Sequence, residues 1–214
     1  MILDHSGKFI VIEGIDGAGT TTQSLLLTNW LQTRGHRAVM TSEPSKGPIG
    51  AMLRQVLSGR LVAQRLDGTQ GVLNNDVIAL LFAADRLDHL DNEILPLLRS
   101  GADVICDRYY HSSITYQSLG GDRGWIQMLN AHARPPDVTY LIDISAEEAD
   151  RRRSQRTQQE LYEKLETQRL LEQAYREIPN LLADQAIVVV NGCSQKELVH
   201  RSITDELIKR FGWE

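Results

Sequence analysis

The chain has 214 residues, 42% of them hydrophobic and 24% charged, with a formal net charge of −5 at pH 7. This length suffices for one sizeable core, so we expect a single domain over residues 1–214. The acidic balance argues against nucleic-acid binding, and the lack of an apolar run of about 18 residues argues against a membrane partner. Two cysteines make no disulfide framework, and the N-terminus lacks a secretory signal, so a cytoplasmic location is predicted.

Short β-branched and apolar runs alternate with longer helical patterns along the chain. The strand-like runs lie at 8–14, 37–44, 103–109, 138–144 and 186–192. Helical patterns separate the last three of these runs and also occupy 20–35, 48–59, 76–99 and 195–211. Because strands joined by crossover helices run parallel, this order predicts a parallel sheet that is covered by helices on both faces.

The segment EGIDGAGTTTQ, residues 13–23, follows the first predicted strand and opens the first predicted helix. Gly14 and Gly19 stand five residues apart, as in the phosphate-binding loop G-x-x-x-x-G-K-[ST]. Thr21 stands where a hydroxyl would reach Mg²⁺, but Thr20 occupies the position of the lysine. An ordinary glycine turn before a helix is the alternative. The strand context and the three successive threonines favour a phosphate-binding loop.

Two further motifs fit a phosphate-transferring enzyme. In ICDRYYHSS, Asp107 ends a predicted strand and could hold a Mg²⁺-bound water, while Arg108 could form a forked contact with a phosphate. A buried structural Asp–Arg pair is the alternative. In FAADR, Phe82 and Arg86 lie one helical turn apart on the same face, so one could stack on a base while the other binds a phosphate. A phenylalanine at helical spacing is otherwise a core residue.

These segments together resemble the thymidylate kinase family. FIVIEGIDGAGTTTQ, SEPSKGPIG, LLFAADRLDHL, VICDRYYHSSITYQ and PDVTYLIDI occur in that family's order and spacing, from residue 9 to about 144, with a weaker match at 160–175. The resemblance implies an α/β, P-loop nucleoside monophosphate kinase fold. This fold has a five-stranded parallel sheet, helices on both faces and a short lid at about 151–162.

The resemblance also implies the reaction and its partners. The γ-phosphoryl group of ATP would be transferred to dTMP, giving dTDP and ADP, by an enzyme that is usually a homodimer. Mg²⁺ would arrive with the nucleotide, near Thr21 and Asp107. The ATP phosphates would lie on a loop made of Gly14, Ile15, Asp16, Gly17, Ala18, Gly19, Thr20, Thr21 and Thr22.

The dTMP site carried over from the resemblance has eleven positions. They are Asp16, Glu43, Pro44, Arg54, Phe82, Arg86, Arg108, Ser112, Ser113, Tyr116 and Gln117. Asp16 would face the 3′-hydroxyl of dTMP. Phe82 would stack on thymine while Arg86 and Gln117 engage the base. Arg108 would bind phosphate between the donor and the acceptor.

The remaining acceptor positions have narrower implied roles. Tyr116 would pack under the sugar and disfavour a ribose 2′-hydroxyl. Glu43 and Pro44 would belong to the loop that lines the monophosphate site. Arg54 would reach the dTMP phosphate.

The chain departs from the family at three cationic positions. Thr20 replaces the loop lysine, Leu161 stands where arginine commonly precedes Tyr-Glu, and Ser42 replaces an arginine. Losing one preorganised electrostatic contact typically costs about 10²–10³ in turnover. A compensating cation is therefore expected, from Lys46 or from the arginines of the charged segment DRRRSQR. These are Arg151, Arg152, Arg153 and Arg156.

We expect Arg153 or Arg156 to be the catalytic cation, acting with Arg108, Asp107 and Asp16. The alternative is that both arginines are merely solvated, as charged helix faces usually are. Two other functions stay open: a degenerate nucleotide-binding homologue with weak activity, and a P-loop kinase for another nucleotide. The intact acceptor motifs favour an active dTMP kinase over both.

Overall fold

The computed structural model describes residues 7–153 and 164–213 of the chain. These ranges contain seven strands, numbered in chain order as β1 Phe9–Glu13, β2 Ala38–Ser42, β3 Ala63–Gln64, β4 Gln70–Gly71, β5 Asp103–Asp107, β6 Val138–Asp143 and β7 Ile187–Asn191. Five of them form one sheet in the order β2-β5-β1-β6-β7, and all its pairings are parallel. The predicted five-stranded parallel sheet is confirmed. The small antiparallel hairpin of β3 and β4 was not predicted.

β1 lies at the centre of the sheet, between β5 and β6. Successive side chains of a strand point to opposite faces, and Phe9, Ile10, Val11 and Ile12 are all 0% exposed. Both faces of the sheet are therefore covered at its centre, which agrees with the continuous apolar run of this strand.

The carboxyl ends of the central strands meet at one edge of the sheet. Ile12 of β1 pairs with Asp107 of β5 and with Tyr140 of β6, and Ser42 of β2 pairs with Asp107. Ligands of open parallel sheets bind beyond this edge, where the chain turns from strand to helix. The loop at 14–19 and the residues after β5 therefore start within reach of each other.

Nine α-helices lie in the described ranges. They are α1 Thr20–Thr33, α2 Pro48–Leu57, α3 Asn75–His89, α4 Leu95–Arg99, α5 Tyr110–Tyr116, α6 Arg123–Leu129, α7 Ala146–Arg153, α8 Leu165–Leu181 and α9 Lys196–Phe211. The predicted helical stretch at 76–99 is continuous, because a π-helical turn at Leu90–Ile94 joins α3 to α4. No helix in the described part of the chain is both long and apolar enough to cross a membrane.

The predicted lid at about 151–162 is only partly within the described residues. Its first three residues end α7, and α8 begins at Leu165. Arg156 and Leu161 lie outside the described residues. The flanking helices α7 and α8 pack on each other, and Arg153 of α7 and Gln168 of α8 both form hydrogen bonds with Asp16 of the glycine-rich loop.

Candidate active site

The glycine-rich loop between β1 and α1 has the conformation that its sequence predicts. Gly17 adopts a φ of +92°, which favours glycine, and a Cβ atom there would meet the carbonyl oxygen of Ala149 at 2.6 Å. Both the backbone and the approach of α7 therefore require glycine at this position. α1 begins at Thr20, so the positive end of its helix dipole faces the loop.

Thr21 and Asp107 meet at the base of this loop. The Thr21 hydroxyl donates a hydrogen bond of 2.5 Å to Oδ2 of Asp107, whose side chain is buried. The other carboxylate oxygen, Oδ1, is buried and has no hydrogen-bond partner among the described residues. A buried carboxylate oxygen of this kind fits the coordination sphere of Mg²⁺ or a water bound to it. No three His, Cys, Asp or Glu side chains in 7–153 and 164–213 converge on a metal position.

Arg108 lies between the loop and the residues of α5. Its backbone has a φ of +71°, which is unusual for a residue with a side chain and costs about 1–3 kcal/mol at such sites. The guanidinium forms an ion pair of 2.6 Å with Asp16 and donates a 2.9 Å hydrogen bond to the carbonyl of Gly14. It also lies 3.4 Å from the Tyr116 hydroxyl. The strained backbone therefore aims this side chain at the loop.

One cavity, which we call the acceptor cavity, opens beside Arg108. Its lining residues are Asp16, Glu43, Pro44, Leu57, Phe82, Arg86, Arg108, Tyr109, Ser112, Tyr116 and Gln117. Nine of the eleven predicted dTMP-binding residues are therefore brought together in it. Leu57 and Tyr109 were missed, because apolar residues within helix and strand patterns are indistinguishable from core residues in the sequence.

Arg86 is fixed by a buried polar network at the wall of the acceptor cavity. Its Nε and Nη2 donate to Oε2 of Glu43 at 2.9 and 2.6 Å, and Nη1 donates to Oδ1 of Asn130. Nη2 also donates to the Ser113 hydroxyl at 3.1 Å. Arg86 is only 1% exposed, so burial and four hydrogen bonds hold the guanidinium in one orientation. Ser113 supports Arg86 and does not line the cavity.

Arg54 is the other predicted residue outside the acceptor cavity. Its guanidinium is exposed and donates to the carbonyls of Pro44 and Ser45, at 3.0 and 2.5 Å. Asp85 holds the same turn through the backbone N–H and the hydroxyl of Ser45. Arg54 thus stabilises the loop that carries Glu43 and Pro44.

A second and larger cavity of about 680 Å³, which we call the donor cavity, lies over the glycine-rich loop. Its lining residues are Asp16, Gly17, Ala18, Gly19, Thr20, Thr21, Thr22, Gln23, Arg108, Glu148, Arg151, Arg152, Gly192, Cys193, Ser194, Gln195, Lys196 and Val199. Among residues 7–153 and 164–213, only Asp16 and Arg108 line both cavities. The two cavities therefore meet at this ion pair.

The donor cavity includes a loop that the sequence patterns did not indicate. Residues 192–196 follow β7, so they reach the same edge of the sheet as the glycine-rich loop. Gln23 of α1 donates a 2.9 Å hydrogen bond to the Lys196 carbonyl and ties the two segments together. The position of β7 in a parallel sheet was the available signal, because its following loop must lie at the binding edge.

The arginines of α7 lie on different sides of the glycine-rich loop. Arg151 and Arg152 line the donor cavity, and Glu148 accepts hydrogen bonds from both. These hydrogen bonds lower the pKa of Glu148 to about 2. Arg153 is 6% exposed, does not line the cavity, and donates to the carbonyl oxygen of Asp16. Lys46 is exposed and lines neither cavity.

Comparison with known proteins identifies the family. A family model described as thymidylate kinase matches residues 12–203. A probable thymidylate kinase of Thermococcus kodakarensis is 38% identical over 197 residues, which cover 91% of this chain and 94% of the relative. One of Pyrococcus horikoshii is 37% identical over 199 residues, covering 92% and 94%. One of Methanococcus vannielii is 39% identical over 175 residues, covering 81% and 79%.

The matched region contains all five strands of the sheet except the start of β1, and both cavities are built from it. Family and geometry agree, since the glycine-rich loop and a cavity lined by nine of the predicted dTMP-binding residues meet at Arg108. The chain belongs to the thymidylate kinase family, whose members phosphorylate dTMP to dTDP with ATP.

Proposed function

We propose that dTMP binds in the acceptor cavity and ATP in the donor cavity, and that phosphoryl transfer takes place between Asp16 and Arg108. The observation that carries this assignment is that, in the part of the chain that the structure describes, these two residues alone line both cavities. Phosphoryl transfer needs little covalent chemistry from the protein, so alignment of the two substrates and stabilisation of charge provide the catalysis. A cation at the junction supplies both.

In the acceptor cavity, Phe82 stacks on thymine. Arg86 and Gln117 bind the same base. Arg86 is suited to this role because its ion pair with Glu43 leaves its position fixed before substrate arrives. Tyr116 packs under the deoxyribose, and Asp16 accepts a hydrogen bond from the 3′-hydroxyl. Arg108, assisted by Ser112, binds the dTMP phosphate next to the donor.

In the donor cavity, the loop of residues 14–22 binds the ATP phosphates through its backbone N–H groups. Thr21 and Asp107 would hold Mg²⁺, either directly or through a water. Mg²⁺ neutralises charge on the phosphates when it is bound. The unpaired Oδ1 of Asp107 supports this assignment, and the remaining ligands would be phosphate oxygens and water.

Arg153 is our proposal for the cation that replaces the missing loop lysine, together with Arg156, which lies outside the described residues. Arg153 holds the carbonyl of Asp16 from beneath the loop. In a trans peptide the C=O and the next N–H point in opposite directions, so this contact turns the Gly17 N–H toward the donor cavity. The buried charge also makes that N–H a stronger donor to phosphate.

We also propose that the chain folds as one domain and works in the cytoplasm. Two copies would form a homodimer with α3 at the interface. Three apolar side chains of α3 are exposed: Val77 by 43%, Leu80 by 49% and Leu87 by 40%. Met52 is 46% exposed on α2, which packs against α3. The three α3 residues lie at helical spacing and form an apolar stripe, as interfaces between subunits do. Light scattering of the wild type should give the mass of a dimer. Leu80→Glu should give a monomer, and a monomeric wild type would contradict the proposal.

The activity is tested by ADP release in the presence of ATP and Mg²⁺, with dTMP, dUMP, dCMP or thymidine as acceptor. We expect the highest kcat/KM with dTMP, because Phe82 and Arg86 match thymine. dCMP should be poor, since it presents an amino group to the Arg86 donors. Absence of turnover with dTMP would overturn the proposal, and preference for another acceptor would assign a different kinase.

A further inference from the structure

One face of α8 packs against the junction of the two cavities. Gln168, Leu171, Tyr175 and Ile178 are buried and recur every three or four residues, which places them on one side of the helix. Leu171 and Ile178 belong to the apolar core in the usual way. Gln168 and Tyr175 are polar, and they are 0% and 3% exposed. Buried polar side chains need partners, and here those partners are residues of the proposed active site.

Tyr175 contacts the residues that surround Arg108. Its hydroxyl donates to Oε2 of Glu13 at 2.9 Å and lies 2.8 Å from the Ser112 hydroxyl. Nη1 of Arg108 donates to the Tyr175 hydroxyl at 3.4 Å. Glu13 in turn accepts hydrogen bonds from Ser112 and from the backbone N–H of Tyr109. Tyr175 is therefore the member of this cluster through which α8 contacts the strained turn after β5.

Gln168 lies two turns earlier on the same face and contacts the partner of Arg108. Its Nε2 donates to Oδ2 of Asp16 at 3.1 Å. The other oxygen of that carboxylate, Oδ1, accepts from Nη2 of Arg108 at 2.6 Å. The carboxylate of Asp16 is thus held between α8 and Arg108, and each oxygen has a defined donor.

Neither Gln168 nor Tyr175 lines the donor or the acceptor cavity. They contact the two residues that line both. Both residues belong to α8, so a single helix contacts Asp16 and Arg108 together.

We propose that Gln168 and Tyr175 are positioning residues for phosphoryl transfer, which hold Asp16 and Arg108 in the geometry that joins the two cavities. This inference rests on the proposed function and adds α8 to it. Displacement of a reacting group by about 1 Å can cost about 10²-fold in rate, so loss of these hydrogen bonds should act on kcat more than on KM.

Tyr175→Phe removes the hydroxyl and keeps the buried ring. We expect kcat to fall by about 10- to 100-fold, with KM for dTMP and ATP changing by less than about threefold. Tyr140→Phe is the matched control, because Tyr140 is also buried and also donates to a carboxylate, that of Glu206, away from both cavities. Its kcat should stay within about twofold of wild type.

Gln168→Leu removes the hydrogen-bond donor to Asp16 and keeps the buried volume. It should lower kcat in the same way, while Gln168→Glu, which places a second carboxylate against Asp16, should lower it further. A purely structural role would change the melting temperature of these variants and leave kcat of the folded fraction unchanged.

A double-mutant cycle with Arg108→Ala decides whether Tyr175 acts through Arg108. In the Arg108→Ala background, Tyr175→Phe should have little further effect on residual turnover. An equal fold-loss in both backgrounds, or wild-type kcat for Tyr175→Phe, would overturn the inference and leave the proposed function intact. Absence of dTMP turnover by the wild type would instead overturn both.

Discussion

The acceptor and donor cavities are built in different ways. In the acceptor cavity, the key cation Arg86 is 1% exposed and is fixed by Glu43, Asn130 and Ser113. In the donor cavity, two cations at the rim, Arg151 and Arg152, are 71% and 30% exposed and share one carboxylate. Under the proposed function, the acceptor side would be organised before substrate binds, while the donor side would rely on loop N–H groups and on charges of α7.

This difference has a consequence for specificity and rate. Selection among nucleoside monophosphates depends on rigid polar groups that lose their hydrogen-bond partner when the wrong base binds. In the proposed function, Arg86 of the acceptor cavity would be such a group. Electrostatic stabilisation of the transferring phosphoryl group depends on cations near the donor, where Thr20 has replaced lysine. Substitutions on the acceptor side should therefore change KM for dTMP, and those near the junction and α7 should change kcat.

The largest effect is expected for Arg108→Ala, because Arg108 belongs to both cavities. Removing it eliminates a preorganised cation at the transferring group, and kcat should fall by about 10²–10³. Initial rates of ADP release at saturating ATP and dTMP measure this. Arg123→Ala, which removes an exposed arginine paired with Glu177, serves as the control and should keep wild-type rates. A loss of less than about tenfold for Arg108→Ala would contradict the assignment.

Arg153→Ala should come next, with kcat lower by about 10- to 100-fold. The variant loses the contact that orients the Asp16–Gly17 peptide and the charge beneath the loop. Arg169→Ala is the control, since Arg169 forms an exposed pair with Glu147 on neighbouring helices. A larger decrease in kcat than that of Arg153→Ala, in Arg156→Ala, Arg151→Ala or Arg152→Ala, would assign the compensating charge to that residue instead.

Thr20→Lys tests whether a lysine in the glycine-rich loop can replace the charge of Arg153. Thr20 is 6% exposed and lines the donor cavity, so a lysine there would extend toward the phosphates. In a Thr20→Lys/Arg153→Ala double variant, a lysine that takes over the electrostatic role should restore part of the lost kcat. No recovery would mean that Arg153 acts on the loop conformation alone.

Phe82→Ala should have a smaller effect, confined to the acceptor. Stacking of a base on an aromatic ring is worth about 1–3 kcal/mol, so KM for dTMP should rise by about fivefold or more. KM for ATP should change little, because Phe82 does not line the donor cavity. Steady-state kinetics with each substrate varied in turn measures this. Equal increases in both KM values would contradict separate cavities.

The smallest effect is a pH dependence of the free energy of unfolding that comes from buried His111. Burial lowers the pKa of His111 to about 3, from an ordinary value of 6.5, although a hydrogen bond with Gln185 opposes the shift. Between these values the unfolded chain binds a proton that the folded protein excludes, so stability falls as pH falls through this range. The slope approaches about 1.4 kcal/mol per pH unit. Above pH 6.5 the contribution is constant.

Urea unfolding at pH 7.0 and 5.5 tests this dependence. The wild type should lose about 1 kcal/mol more than His111→Gln between these pH values, since the variant has no imidazole to protonate. All other titrating groups are common to both proteins, so the difference isolates His111. Parallel pH dependences would contradict the argument.

Much of this architecture was predictable from the sequence, for identifiable reasons. β1 and β5 are buried on both faces, so they appear as continuous apolar runs. The hairpin of β3 and β4 was not predictable, because each strand has two residues. Two residues are too few to show an alternation of apolar and polar side chains. Nine residues of the acceptor cavity were expected from the resemblance to the thymidylate kinase family, whose motifs occur here in the same order.

The remaining site residues depend on packing that has no sequence signature. Arg152 and Arg153 are adjacent in sequence, yet side chains at successive helical positions point about 100° apart. One therefore lines the donor cavity and the other lies beneath the loop. In the same way, Tyr175 and Gln168 have the spacing of ordinary core positions of a helix, and only their partners reveal a connection with Arg108.

In the proposed function, donor and acceptor meet at Asp16 and Arg108, and the glycine-rich loop works without a lysine. The most direct test mixes the wild-type protein with ATP, Mg²⁺ and dTMP and resolves the products by chromatography. We expect dTDP and ADP in equal amounts, formed only when dTMP is present and formed far more slowly by Arg108→Ala. Formation of ADP without dTDP, or no product at all, would contradict it.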